Sequence, residues 1–120
     1  MKKSIITTLI LEGLHKWIDI PNTEELKDVQ YLKDLHRHLF HFKCVKTINH
    51  YNRDVEFINL KHQIIDYLNQ VYYSVQHRCL LFDYRSCEMI AEELINQFNL
   101  TKCEVFEDGE NGCILEVEND

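Results

Sequence analysis

Three histidines define the chemistry this chain could carry out. His36 and His38 stand two residues apart in Leu35-His36-Arg37-His38-Leu39-Phe40, at the head of a strand-like stretch. Side chains alternate along a strand, so both imidazoles point to the same side of a sheet. His15 closes an earlier strand-like stretch, Leu11-Glu12-Gly13-Leu14-His15-Lys16-Trp17, and a hairpin partner would bring it alongside. Three converging imidazoles with an open fourth position are the arrangement of a catalytic-type zinc. The spacing alone leaves a plainer alternative open, because a chain with 7 histidines in 120 residues can place two of them at i and i+2 without any metal.

The elements that must position these residues follow from hydrophobic periodicity. Residues 3–14 read as a strand rich in Ile, Thr and Leu, and residues 36–48 as a second strand. In the second, Phe40, Phe42 and Cys44 share one face, with His41 and Lys43 on the other. Residues 18–35 between them are polar and irregular, with a short helix near 24–32. Over 56–73, Phe57, Leu60, Ile64, Ile65, Leu68, Val71 and Tyr72 recur at helical spacing as one apolar stripe. A second helix is predicted over 87–98, with Ser86 as N-cap, Glu88 in the first turn, and Ile90, Ala91, Leu94, Ile95 and Phe98 buried. Residues 102–107 and 112–118 read as strands joined by Asp108-Gly109-Glu110-Asn111-Gly112, a hairpin signal. The order β-β-α-α-β-β predicts a single α+β domain over residues 1–120. Its core is a four-stranded antiparallel sheet with both helices on one face.

Composition narrows the function classes. A net charge of −7 leaves no basic stripe for phosphates, which excludes a binder of long nucleic acid but not a pocket for one small nucleotide. No apolar run approaches the roughly 20 residues that cross a bilayer, so no membrane partner is expected. The stretch after Met1-Lys2-Lys3 faintly mimics a secretion signal, but Glu12 ends it without a small-residue cleavage site, and it reads as the first strand. The 5 cysteines are odd in number and form no CxxC, which suits a reducing cytoplasm rather than a disulfide framework.

Five segments, in register along nearly the whole chain, resemble the tunnelling fold (T-fold) of the 6-pyruvoyl-tetrahydropterin synthase and 6-carboxy-tetrahydropterin synthase family. Leu11-Glu12-Gly13-Leu14-His15-Lys16-Trp17 is similar to the family's Phe-x-Ala-Ala-His-Arg-Leu, and Leu35-His36-Arg37-His38-Leu39-Phe40 to its Leu-His-Gly-His-Ser-Phe. Asp54-Val55-Glu56-Phe57-Ile58-Asn59-Leu60-Lys61 resembles its Val-x-Asp-Phe-x-x-Leu-Lys. Ser86-Cys87-Glu88-Met89-Ile90-Ala91 resembles its Thr-Ser-Glu-Asn-Leu-Ala, and Cys103-Glu104-Val105-Phe106-Glu107 the strand whose final glutamate anchors a pterin. The resemblance implies a homo-oligomer whose sheets join edge to edge into a barrel, with sites between subunits. It implies zinc on His15, His36 and His38. Glu107 would accept two hydrogen bonds from the N–H edge of a guanine-like or pterin-like ring. Ser86, Cys87 and Glu88 would add backbone N–H groups and polar contacts. Arg37 replaces the family's glycine; it would either sit beside the metal and select an anionic ligand or, by period two, leave through the opposite face.

The catalytic groups depart from the family pattern. The family's cysteine before His-x-His falls at about Leu32, which transfers no protons. Its Asp-His pair falls on Gln76 and His77, so His77 alone remains as a catalytic candidate, without the carboxylate that would orient it. Glu24, Glu25, Asp28 and Asp34 are the nearby carboxylates. Three functions follow. The first is a binder of a purine-like or pterin-like molecule with zinc, its family reaction lost, for example a nucleotide-sequestering protein. The second is an active zinc-dependent pterin or deazapurine synthase or lyase with a substitute base. The third is a ligand-free structural oligomer. The retained pocket residues favour the first two, and the missing Cys and Asp favour the first.

Overall fold

The computed structural model describes residues 1–118, so the last two residues of the domain expected over 1–120 lie outside the described residues. The chain runs β1 (Ser4–His15), a 3-10 segment (Glu24–Lys33), β2 (His36–Thr47), α1 (Phe57–Tyr72), β3 (Tyr73–Ser74), β4 (Cys79–Asp83), α2 (Cys87–Phe98), β5 (Lys102–Glu107) and β6 (Asn111–Glu116). The sheet order is β3-β4-β1-β2-β5-β6.

The four expected strands are present and antiparallel, as β1-β2-β5-β6. The sheet nevertheless has six strands and is mixed, because β4 adds to β1 in parallel and β3 pairs with β4. The expectation of four antiparallel strands is corrected here for a physical reason. Cys79-Leu80-Leu81-Phe82 is a continuous apolar run, the pattern of a strand buried beside a parallel neighbour, and it carries no alternation to announce itself.

Each helix begins on a side-chain cap. The Glu56 carboxylate accepts from Asn59 N (3.0 Å), and Ser86 Oγ accepts from Met89 N (3.2 Å). Asn99, with φ 52°, ends α2 in the left-handed conformation that Asn tolerates. Leu60, Ile64 and Leu68 of α1 and Ile90, Ala91 and Leu94 of α2 pack on Phe40, Phe42, Phe82 and Val105 of the sheet. Phe57 and Val71, read from sequence as part of the α1 stripe, lie near the two ends of that helix and stand half exposed. The opposite face of the sheet carries Ile6, Ile10, Leu39 and Ile114 in the open. Among the described residues, no helix is long and apolar enough to cross a membrane.

Candidate metal centre

The register of β1 on β2 places His15 directly opposite His36 and Gly13 opposite His38. Period two then brings all three imidazoles onto the helix-bearing face, their ring centroids 4.6, 4.9 and 5.3 Å apart. Phe40 forms the floor, edge-on to His15 at 5.1 Å. Gly13 makes room for that floor: a Cβ there would meet the Phe82 ring at 2.9 Å and the Phe40 ring at 3.1 Å. Strand β5 pairs Glu107 with Phe40, so its carboxylate arrives beside the rings. Glu107 Oε2 lies 2.8 Å from His15 Nε2 and Oε1 lies 3.5 Å from His38 Nε2. One donor atom from each of His15, His36, His38 and Glu107 lies within 4.8 Å of the others, a group that could hold a metal ion.

The outer nitrogen of each ring is already engaged. His15 Nδ1 donates to the Arg85 carbonyl (2.9 Å), His36 Nδ1 to the Asp34 carbonyl (2.8 Å) and His38 Nδ1 to Asp108 Oδ2 (2.7 Å). These oxygens only accept, so in each neutral ring Nδ1 carries the proton and Nε2 keeps a lone pair. His15 Nε2 and His38 Nε2 are buried without a hydrogen-bond partner, and the close approach of Glu107 to His15 is off hydrogen-bond alignment. A carboxylate facing bare imidazole lone pairs is repulsive, and a shared cation turns that repulsion into coordination. The donors present therefore fit a divalent ion. Burial holds the His36 imidazole below its ordinary pKa of 6.5, against the Asp34 carbonyl and with the help of His15 and His38, which keeps it in the neutral form a ligand requires. Without a metal, a proton on His15 Nε2 turns the same contact into a hydrogen bond to Glu107, and that interaction holds Glu107 below the ordinary carboxylate range against its burial.

The centre opens onto a cavity of about 540 Å³. His15, His36 and Glu107 line it, as do Trp17, Leu32, Tyr84 and the start of α2 at Ser86, Cys87 and Glu88. Cys87 Sγ lies 3.7 Å from Glu107 Oε2, and burial pushes its thiol pKa up, so it is a donor to the carboxylate and not a nucleophile. The Ser86 hydroxyl is spent on capping α2. Glu88 is exposed at the rim.

Two site residues expected from sequence lie elsewhere. Arg37 is not beside the metal centre: period two sends it through the opposite face, where Nη1 meets Glu12 Oε2 at 3.1 Å and Cys79 Sγ at 3.5 Å. His77 sits in the β3–β4 turn with Nδ1 2.9 Å from Ser74 Oγ, outside the residues lining the cavity. Leu32 does line the cavity, its carbonyl accepting from Trp17 N at 2.7 Å.

The groups that orient the rings escaped the sequence. Two are backbone carbonyls, which have no residue signature. The third, Asp108, reads as an ordinary Asp-Gly turn residue; only its place next to Glu107, on the strand that pairs with His-x-His, could have singled it out. Compared with models of protein families and with curated proteins, the sequence has no match. The chemistry of the site therefore rests on its own atoms.

Proposed function

We propose that this protein binds a purine-like or pterin-like small molecule in the cavity beside a zinc ion, and does not run the 6-pyruvoyl-tetrahydropterin synthase reaction. The observation that carries this reading is the convergence of three oriented Nε2 atoms and one carboxylate on the wall of a ring-sized cavity. His15, His36 and His38 would hold the ion, which supplies a Lewis-acid contact for one ligand atom when bound. The free N–H groups at the start of α2 favour an electron-rich edge of the ligand.

Two features favour binding over turnover. Leu32, which lines the cavity at the position of the family's cysteine, has no group that transfers protons, and His77 is backed by a serine hydroxyl where a carboxylate would be needed. Asp34, read from sequence as a substitute base, belongs to a separate, smaller cleft lined by Lys16, Ile18, Lys33 and Leu35. The uncovered strands β3 and β6 and the exposed Ile6, Ile10, Leu39 and Ile114 support a homo-oligomer built through sheet edges.

Native mass spectrometry of untagged protein tests the reading. The expected result is an oligomer with one zinc per subunit and a co-purified heterocycle. A monomer with no metal after zinc is supplied would overturn it. Incubation with dihydroneopterin triphosphate should leave the side chain of that compound intact; turnover at an ordinary enzymatic rate would make the site that of a synthase.

A further inference from the structure

Glu107 stands where the two halves of the proposed site meet. Its carboxylate turns inward to the imidazoles, at 2.8 Å from His15 Nε2 and 3.5 Å from His38 Nε2. Several contacts hold it there. Its backbone is paired to Phe40 on β2. The next residue, Asp108, is clamped to β2 through Leu39 N (2.9 Å) and His38 Nδ1 (2.7 Å). From the α2 side the Cys87 thiol reaches Oε2 at 3.7 Å. The His15 contact is not a hydrogen bond that would explain the pose, because the proton of the neutral ring is on Nδ1, facing Arg85 O.

We propose that Glu107 is the fourth ligand of the bound ion. The centre then rests closed, with four protein donors, and a ring entering the cavity opens it by drawing Glu107 off the metal. This rests on the reading of the site as a metal centre beside a heterocycle pocket. Four protein donors make a closed site, whereas three leave a position for an outside ligand. A paired N–H edge engages both oxygens of a carboxylate, and the metal needs one of them, so Glu107 serves one partner fully at a time. The vacated position then lies against the incoming ring. Metal and ring are thereby coupled through a single side chain, and each alters the other's affinity by the same factor.

The test uses the full chain loaded with Co(II), whose visible absorption reports coordination number, and azide, which binds an open metal position. The wild-type spectrum should be four-coordinate and unmoved by azide. Glu107→Ala should still take up Co(II), and its spectrum should shift when azide is added. Guanosine or neopterin added to the wild type should change its Co(II) spectrum, with a ring atom or azide taking the vacated position, whereas adenosine, lacking the paired N–H edge, should not. A wild-type azide shift equal to that of Glu107→Ala overturns the fourth-ligand assignment while leaving the three-histidine centre in place. Silence towards azide in both proteins overturns it as well. A wild-type Co(II) spectrum that neither guanosine nor neopterin changes, with or without azide, overturns the opening step. Co(II) uptake no better than that of His36→Ala removes the metal centre itself and this inference with it.

Discussion

Asp108→Asn isolates the orientation of one candidate metal ligand, His38. Of the three groups that fix the imidazoles, two are backbone carbonyls, and only the partner of His38 can be altered by substitution. Asp108 uses both carboxylate oxygens, one on His38 Nδ1 at 2.7 Å and one on Leu39 N at 2.9 Å. Its φ of 57° is left-handed, a conformation asparagine adopts as readily as aspartate, so the turn survives the exchange. An amide offers one acceptor and one donor group where the carboxylate offered two acceptors. If its oxygen stays on Leu39 N–H, its NH₂ faces His38 Nδ1. The ring must then move its proton to Nε2 and lose the lone pair aimed at the metal. If the amide flips, Leu39 N–H is left unpaired at the end of the site. Loss of a partner of this kind lowers metal affinity by about 10–100-fold. Competition against a chromogenic zinc chelator measures this directly, with thermal melting of the metal-free protein as the control for folding. An affinity within about threefold of wild type, with melting unchanged, would refute the claim that Asp108 sets the His38 tautomer.

His36→Ala should abolish stoichiometric zinc binding in metal analysis while far-UV circular dichroism stays native, because the helices and Phe40, Phe42 and Phe82 carry the core. Glu107→Ala removes charge-assisted hydrogen bonds of about 1.5–3 kcal/mol each. Calorimetry should therefore show at least about a tenfold loss in affinity for a guanine-type ligand, with adenosine weak from the start. Folding holds His36 below its ordinary 6.5 and Glu107 below its ordinary 4.5. As pH falls, the unfolded chain takes up each of these protons first. Metal-free stability should thus be full above about pH 6.5, decline first through His36, and decline again through Glu107 below its ordinary value. A melting temperature that rises on acidification across this range would contradict both assignments. Leu68→Ala, at a site with no exposure between α1 and the sheet, should lower stability in urea unfolding by about 2–5 kcal/mol.

What the sequence reveals and what it hides have separate physical origins. Period two in His36-Arg37-His38 puts the two imidazoles on one face, and by the same rule it sends Arg37, expected as a ligand-binding residue, away from them; the apolar pattern of Leu60, Ile64 and Leu68 finds α1. These are local regularities, written in neighbouring residues. His15 joins the group only through the β1–β2 register, which the hydrophobic alternation of both strands determines. The inward pose of Glu107 depends on the tight Asp108-Gly109 turn, whose residues have φ 57° and 71°, and on the thiol of Cys87 from a different element. No spacing in the chain encodes that meeting. Strand β4 is hidden because its successive residues Cys79 and Leu80 are both buried and erase the alternation that marks a half-exposed strand.

Strand β4 also bears on the lifetime of the site. It joins β1 in parallel, across the whole of α1, with a register shift between Leu14 and His15. Such a pairing has high contact order and closes late in folding. Its outer neighbour β3 is two residues long, so the pair forms a thin border to the sheet. Yet this border carries the bond from Lys16 N to Asp83 O, at 2.8 Å, and leads straight into the Arg85 carbonyl that steers His15. Fraying of the border would therefore release His15 without opening the rest of the sheet. An ion held at the site would then leave through a local unfolding step of this short hairpin, which runs directly into the cavity-lining residues Tyr84 and Arg85, and its residence time would follow the rate of that step.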